Sequence, residues 1–307
     1  MEEPMELTYL NLASNKLSGE IPDCWMMWPN LVIVKFDDNI FSGNLPTSLG
    51  SLPWLGSLQL HRNLLSGNFP ICLKNNTKLV FLDLRENQFS RIIPSWVAQV
   101  LFNLKGFLQG SNKFVGEIPN QICFLKFLQI LNLAHNNLTG QVPKCINHLT
   151  AMLVKNNSLE SYVERKINRS YYYIQDVLLE LKGRDDEYSF LELVTSMDLS
   201  SNKLSGDIPR ETTSLKGLLF LNLSNNNLHG QISQSIGNMK SLEAMDFSNN
   251  QLYGEIPPSL SNLNFLSKLN LSYNNFIGKI PMGTQLQSLE ACSFVGNDLY
   301  GPPLQNN

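Results

Sequence analysis

Residues 196–209 read SMDLSSNKLSGDIP, and residues 268–281 read KLNLSYNNFIGKIP. Set one above the other on Asn202 and Asn274, the two share an apolar residue three and five places before the Asn. They also share Leu or Phe two places after it, Gly at four and Pro at seven. The same register recurs outward through the chain, with Asn at 15, 39, 63, 87, 112, 136, 202, 226, 250 and 274. The interval is 24 residues, except for one of 25 (Asn87 to Asn112) and one of 66 (Asn136 to Asn202). Leu or Phe follows in all ten units; Gly is replaced once, by Arg91, and Pro once, by Ser233.

Each residue type has a physical reason to hold its place. The alternating apolar pair, such as Leu10 and Leu12, suits a short strand with one buried face. One unit cannot bury that face alone, and stacking at a fixed period makes the leucines one continuous core in a parallel sheet. The turn after each strand strands buried backbone groups, and an Asn carboxamide supplies both a donor and an acceptor to neighbouring turns. Gly admits backbone angles closed to other residues, and Pro suits an extended return that needs no amide donor.

A repeat reading LxxLxLxxNxLxGxIP resembles the plant-type leucine-rich repeat of receptor-like proteins, receptor kinases and polygalacturonase-inhibiting proteins. The resemblance covers residues 7 to about 281. It implies an α/β repeat fold: a plant-type leucine-rich-repeat solenoid of about ten 24-residue repeats with one inserted island and its LxL strands on the concave side.

Composition agrees with a folded chain of 307 residues, 43% hydrophobic and 16% charged. A net charge of −3 gives no general attraction to nucleic acid or to an anionic membrane. No GxxxxGK[ST] loop, HExxH motif or Ser-His-Asp spacing is present, and His61, His135, His148 and His229 are scattered, so no enzyme activity and no cofactor are expected. Cys145 and His148 form a lone CxxH, too few ligands for zinc.

The interruption separates a first block, 1–151, with repeats one to six, from a second, 194–287, with repeats seven to ten; 288–307 read as a partial cap. The inserted residues, 152–193, shift towards charge and tyrosine, with Tyr171, Tyr172, Tyr173, Lys182, Arg184 and Tyr188 as candidate island contacts. The alternation in VLLELKG predicts a short strand, and Asp185, Asp186 and Glu187 read as a solvated turn. An island closing in KGRDDEY ahead of a restart in VTSMDLSSN resembles that of kinase-less plant receptor-like proteins. Polygalacturonase-inhibiting proteins, secreted inhibitors of microbial wall-degrading enzymes, carry a similar repeat number without an island and form the alternative; a truncated product is a third.

The receptor-like resemblance implies an extracellular scaffold at the plasma membrane that acts in signalling or defence. Its ligand would be a peptide, protein or glycan, and its partner a leucine-rich-repeat co-receptor kinase contacting the units after the island. The chain itself shows no signal peptide, no membrane span and no N-terminal cap, which is the expectation for the C-terminal part of such an ectodomain.

Nine side chains flank the predicted strands of repeats two to four: Lys35, Asp37 and Asp38; Gln59, His61 and Arg62; Asp83, Arg85 and Glu86, with Asp37, His61 and Arg85 in one column and Asp38, Arg62 and Glu86 in another. All are expected to face solvent. Alternating charges on adjacent strands either pair with each other or present a ligand site, and both readings stand at this stage. Six NxS/T sequons are candidate glycosylation sites: Asn75, Asn137, Asn156, Asn168, Asn222 and Asn270. Cys24, Cys72 and Cys145 each lie nine places after their Asn. Cys24 and Cys72 are two repeats apart, about 10 Å, beyond disulfide reach, so buried free thiols are expected. Gln109 takes a core Leu position and must be strained, reregistered or hydrogen-bonded, and Arg91 in the turn-Gly place predicts an altered backbone.

Overall fold

The computed structural model describes residues 6–154, 177–181, 184–188 and 194–304. The chain divides into two compact units, 1–139 and 140–307.

In the first unit the LxL segments form short strands at Tyr9–Asn11, Ile33–Lys35, Ser57–Gln59, Phe81–Asp83, Gly106–Leu108 and Ile130–Asn132. They pair parallel in sequence order, each residue opposite its equivalent in the next repeat, as in Val34 opposite Leu58 and Leu58 opposite Leu82. A second parallel row follows the Asn in each repeat, from Ser18–Glu20 through Ile40–Gly43, Leu64–Asn68, Gln88–Arg91 and Lys113–Glu117 to Asn137–Thr139. The Pro then opens a return made of short 3-10 helices, such as Thr47–Ser51 and Ile71–Asn75. The second unit repeats the scheme with strands Ser196–Asp198, Phe220–Asn222, Ala244–Asp246 and Lys268–Asn270.

The predicted core is observed from the second repeat on, whereas Leu10 and Leu12 of the first are half-buried and Leu17 is exposed. Val34, Leu58, Leu82, Phe107 and Leu131 form one buried column and Phe36, Leu60 and Leu84 the next, as do Met197, Leu221, Met245 and Leu269 in the second unit. Removing such a side chain from water contributes about 1.5–3 kcal/mol each.

The asparagines do what their chemistry predicts. Asn63 Nδ2 donates to Leu60 and His61 carbonyls in its own turn and to Phe36 O in the previous one, while Oδ1 accepts the Phe41 N–H. Asn39, Asn87, Asn112 and Asn136 repeat this bonding in the first unit, and Asn226, Asn250 and Asn274 in the second. The residue before each Asn sits in the left-handed region, φ 51 at Glu86 to 55 at Ser14, which closes the turn.

Several expectations need correction. The ladder runs one step beyond the tenth repeat: Asn297 Oδ1 accepts the Phe276 N–H, its Nδ2 donates to Leu271 O, and strand Asp298–Tyr300 extends the second row. Leu299 and Gly301, two and four places after Asn297, were the legible signal. Arg91 does not alter the backbone; it adopts φ 69, the left-handed conformation of the glycines it replaces, and pairs in register with Phe114. The extra residue between Asn87 and Asn112 falls in a return where an α-helix, Trp96–Val100, replaces the usual 3-10 turn. Gln109 keeps its register and its carbonyl serves Asn112 and Asn136, but its side chain is fully buried with neither amide atom hydrogen-bonded.

Cys24 and Cys72 are free thiols, half-buried where full burial was expected. Cys145 is disulfide-bonded, as is Cys123. Cys123 and Cys145 sit in consecutive repeats, closer than the two-repeat span that separates Cys24 from Cys72. In the insertion the predicted strand is present as Val177–Leu181, antiparallel to Arg184–Tyr188. Asp185, Asp186 and Glu187 are therefore strand residues, where they were expected in a turn; ladder pairing overrides the weak strand propensity of Asp.

Candidate functional site

The nine predicted residues are brought together on the first strand row of repeats two to four and on the turns that follow it. Strand registers place Lys35 beside Gln59 and Gln59 beside Asp83. The turn that follows each strand then carries Asp37 and Asp38, His61 and Arg62, and Arg85 and Glu86. Solvent exposure separates these nine residues. Lys35, Asp37, Gln59, His61, Asp83 and Arg85 are buried, Asp38 is half-buried, and Arg62 and Glu86 are exposed. The expectation that all nine face solvent is corrected accordingly.

Mutual pairing accounts for part of that burial. Arg85 folds back on its own strand, Nε 2.9 Å from Asp83 Oδ1 and Nη2 2.7 Å from Oδ2. His61 Nδ1 lies 2.9 Å from Asp37 Oδ1 and 3.6 Å from Asp83 Oδ2, so the imidazole sits between carboxylates of both neighbouring repeats. Its Nε2 is 3.8 Å from Asp38 Oδ2. Asp37 Oδ1 also accepts the His61 backbone N–H at 3.0 Å. Two places before Asp83 on the same strand, Phe81 lies so near Gly106 that a methyl there would collide with the ring.

The electrostatics follow from that packing. Burial pulls the His61 imidazole towards the neutral form, but the Asp37 contact and the charges of Asp83 and Asp37 outweigh it and raise the pKa above its ordinary value. Burial likewise raises Asp83, and the charge and hydrogen bonds of Arg85 overcome it, so the carboxyl is held below its usual range.

The surface layer is a second chain of charge. Arg62 Nη1 reaches Asp38 Oδ1 at 3.2 Å, and its Nε and Nη2 reach the two Glu86 oxygens at 3.0 and 3.3 Å. All three residues hold the left-handed turn position, φ 51 to 54. That conformation aims their side chains away from the strand, and Arg62 keeps donor capacity at the surface. Exposed pairs of this kind are worth at most about 1 kcal/mol, so they can exchange partners at small cost.

The second unit presents a different surface. Asp198, Asn222, Asp246 and Asn270 stand opposite one another on consecutive strands. Asn222 Nδ2 donates to Asp198 Oδ2 at 3.4 Å and Asn270 Nδ2 to Asp246 Oδ2 at 3.2 Å. Asn75 and Asn137 are exposed. Arg184 and Tyr188 lie on the strand Arg184–Tyr188. Tyr171, Tyr172, Tyr173, Lys182, Asn156 and Asn168 lie outside the described residues. Among the described residues no group of three or more His, Cys, Asp or Glu is arranged to hold a metal ion, and no helix is long and apolar enough to cross a membrane.

Comparison with known proteins gives a consistent setting. The family described as Leucine Rich Repeat matches residues 6–28, 78–100, 127–149, 194–215, 217–239, 241–263 and 265–285. Receptor-like protein EIX2 of Solanum lycopersicum is 45% identical over 217 residues, 69% of this chain and 21% of its own length. Receptor-like protein EIX1 of the same plant is 44% identical over 147 residues, 46% of this chain and 14% of its own length. This chain thus spans about a fifth or less of these relatives. Among solved structures, the Arabidopsis receptor kinase HAESA, in complex with the peptide hormone IDA and the co-receptor SERK1, superposes with a TM-score of 0.74 at 32% identity. That match covers 96% of this chain and 42% of HAESA. The plant peptide hormone receptor RGFR1, in complex with RGF2, gives 0.64 at 30% identity over 95% of this chain and 48% of its own. The chain belongs to the leucine-rich-repeat family, and the members it resembles are the plant receptor-like proteins.

Proposed function

We propose that this chain is part of the ligand-recognising ectodomain of a plant receptor-like protein, at the extracellular face of the plasma membrane. The observation that carries the reading is the surface chain Asp38–Arg62–Glu86, held at fixed spacing by the Asn ladder beneath it, in a chain whose relatives are receptor-like proteins. Rigid presentation lowers the entropy lost on binding, and weakly paired charges give directional contacts to a polar ligand such as a peptide. HAESA binds a peptide hormone together with a co-receptor; by analogy a peptide, protein or glycan ligand and a leucine-rich-repeat co-receptor kinase are the partners here, and cell-surface signalling or defence the output.

The test uses the full-length receptor that contains this chain, expressed in plant cells. Fractionated filtrates of plant and microbial cultures serve as the probe. We expect an impermeant biotin reagent to label the chain from outside. A filtrate active through the wild type should lose at least tenfold in potency with Arg62→Ala plus Glu86→Ala, at unchanged surface abundance. Absence of outside labelling, or a double variant as responsive as wild type to every active filtrate, refutes the reading.

A further inference from the structure

Four of the six sequons lie among the described residues, and the structure divides them into two kinds. At Asn222 and Asn270 every part of the sequon is engaged. Asn222 Oδ1 accepts the Ser224 N–H at 3.1 Å and its hydroxyl at 2.8 Å, while Nδ2 donates to Asp198. Asn270 Oδ1 accepts the same two groups of Ser272 at 3.2 and 2.7 Å, while Nδ2 donates to Asp246. Ser224 and Ser272 are buried. Both asparagines stand in the Asp198–Asn222–Asp246–Asn270 column, flanked at the strand spacing of about 4.8 Å by the next carboxylate or amide. A sugar on either Nδ2 replaces one of its two hydrogens and has to lie across the neighbouring side chains of the column.

Asn75 and Asn137 are built otherwise. Asn75 ends the 3-10 helix Ile71–Asn75, in the row of returns and away from the first strand row. Asn137 opens the strand Asn137–Thr139 in the second row. Both asparagines are exposed, and so are the hydroxyl residues of their sequons, Thr77 and Thr139. A large polar group at either amide extends into solvent without crossing the strand row that carries the charged columns.

We propose that Asn75 and Asn137 are N-glycan acceptors of this chain, and that Asn222 and Asn270 stay unmodified as members of the Asp–Asn column. The proposal rests on the extracellular reading above, because the transfer requires the secretory pathway. In the modification the amide nitrogen bonds to the anomeric carbon of a lipid-linked oligosaccharide and gives up a proton, and the lipid pyrophosphate departs. The outcome is a strand row in the second unit free of sugar on its Asp, Asn and Ser side chains, a surface that a protein partner can approach.

The experiment expresses the full-length receptor in plant cells, once behind its own leader and once behind an unrelated secretion signal. Enzymatic deglycosylation in heavy-oxygen water marks each formerly occupied Asn for peptide mass spectrometry. Behind the unrelated signal we expect label at Asn75 and Asn137 and intact Asn at 222 and 270. Asn75→Gln and Asn137→Gln should each remove one glycan's mass, whereas Asn222→Gln and Asn270→Gln should remove none. Label at Asn222 or Asn270, or none at Asn75 and Asn137, overturns the proposal. If the pattern appears behind the unrelated signal but the native-leader protein carries no glycan, the site assignment stands and the extracellular reading falls.

Discussion

Asn63→Ala tests the central element of the fold. Asn63 is buried, and its carboxamide makes four hydrogen bonds: Phe41 N–H to Oδ1 at 3.0 Å, and Nδ2 to Phe36, Leu60 and His61 carbonyls at 3.0, 3.2 and 3.2 Å. The three carbonyls have other donors in Asn39 Nδ2, Asn87 Nδ2 and the Asp38 N–H. The Phe41 N–H would lose its partner, and a buried orphan donor costs about 1–3 kcal/mol. With the small cavity left by the carboxamide, the expected loss is about 2–4 kcal/mol. Asn15, exposed, bonds its own turn through Leu12 and Ala13 carbonyls, and Asn15→Ala should cost under about 1 kcal/mol. Asn63→Asp should cost at least as much as Asn63→Ala, because it sets a carboxylate against the three carbonyls. Trp25, Trp28, Trp54 and Trp96 all lie in the first unit, so urea unfolding followed by tryptophan fluorescence reports on the unit concerned. An Asn63→Ala loss within 0.5 kcal/mol of zero, on the order of a neutral surface change, or equal losses at Asn15 and Asn63, refutes the ladder as a source of stability.

Three further outcomes follow from individual side chains. His61 has a folded pKa raised above its ordinary value near 6.5, so its contribution is fully present below that pH and is lost as pH rises through the folded pKa. First-unit stability from urea titrations should fall between pH 6 and 9 more steeply in wild type than in His61→Gln; equal slopes refute it. Gln109→Leu replaces a fully buried, unpartnered amide with an apolar side chain of similar size and should stabilise by about 1–3 kcal/mol, read as a raised urea midpoint. Arg91→Gly relieves a left-handed non-glycine residue and should stabilise by about 1 kcal/mol in the same assay, an unchanged midpoint counting against strain there.

The repeat was legible because each of its features is a local requirement met in nine or all ten units. Asn at the turn, Gly at four and Pro at seven each answer a backbone need that recurs with the period, and the structure meets it in the same way at Asn39 and Asn274. What escaped had a single occurrence. Asn297 follows Asn274 at 23 residues with Gly296 before it, so the motif was present but out of period. The Arg184–Tyr188 strand carries three consecutive acids, which argue against a strand until its partner supplies the hydrogen bonds.

The candidate site was legible as a list of residues and not as layers. From the pattern, Asp37 and Asp38 are adjacent acids of equal standing. The left-handed turn separates them: Asp37 turns in to His61, while Asp38 at φ 52 turns out to Arg62. The same division sends Arg85 onto Asp83 and leaves Glu86 at the surface. A periodic sequence fixes which repeat a side chain belongs to, but the sign of one backbone angle decides whether its charge supports the scaffold or faces solvent. The inner set has contacts short enough that deleting one member strands another buried charge, an expected cost of several kcal/mol, whereas the outer set can be changed for about 1 kcal/mol or less. The outer column, Arg62 and Glu86 above all, can therefore change its charges at small cost to folding, as the proposed recognition role requires.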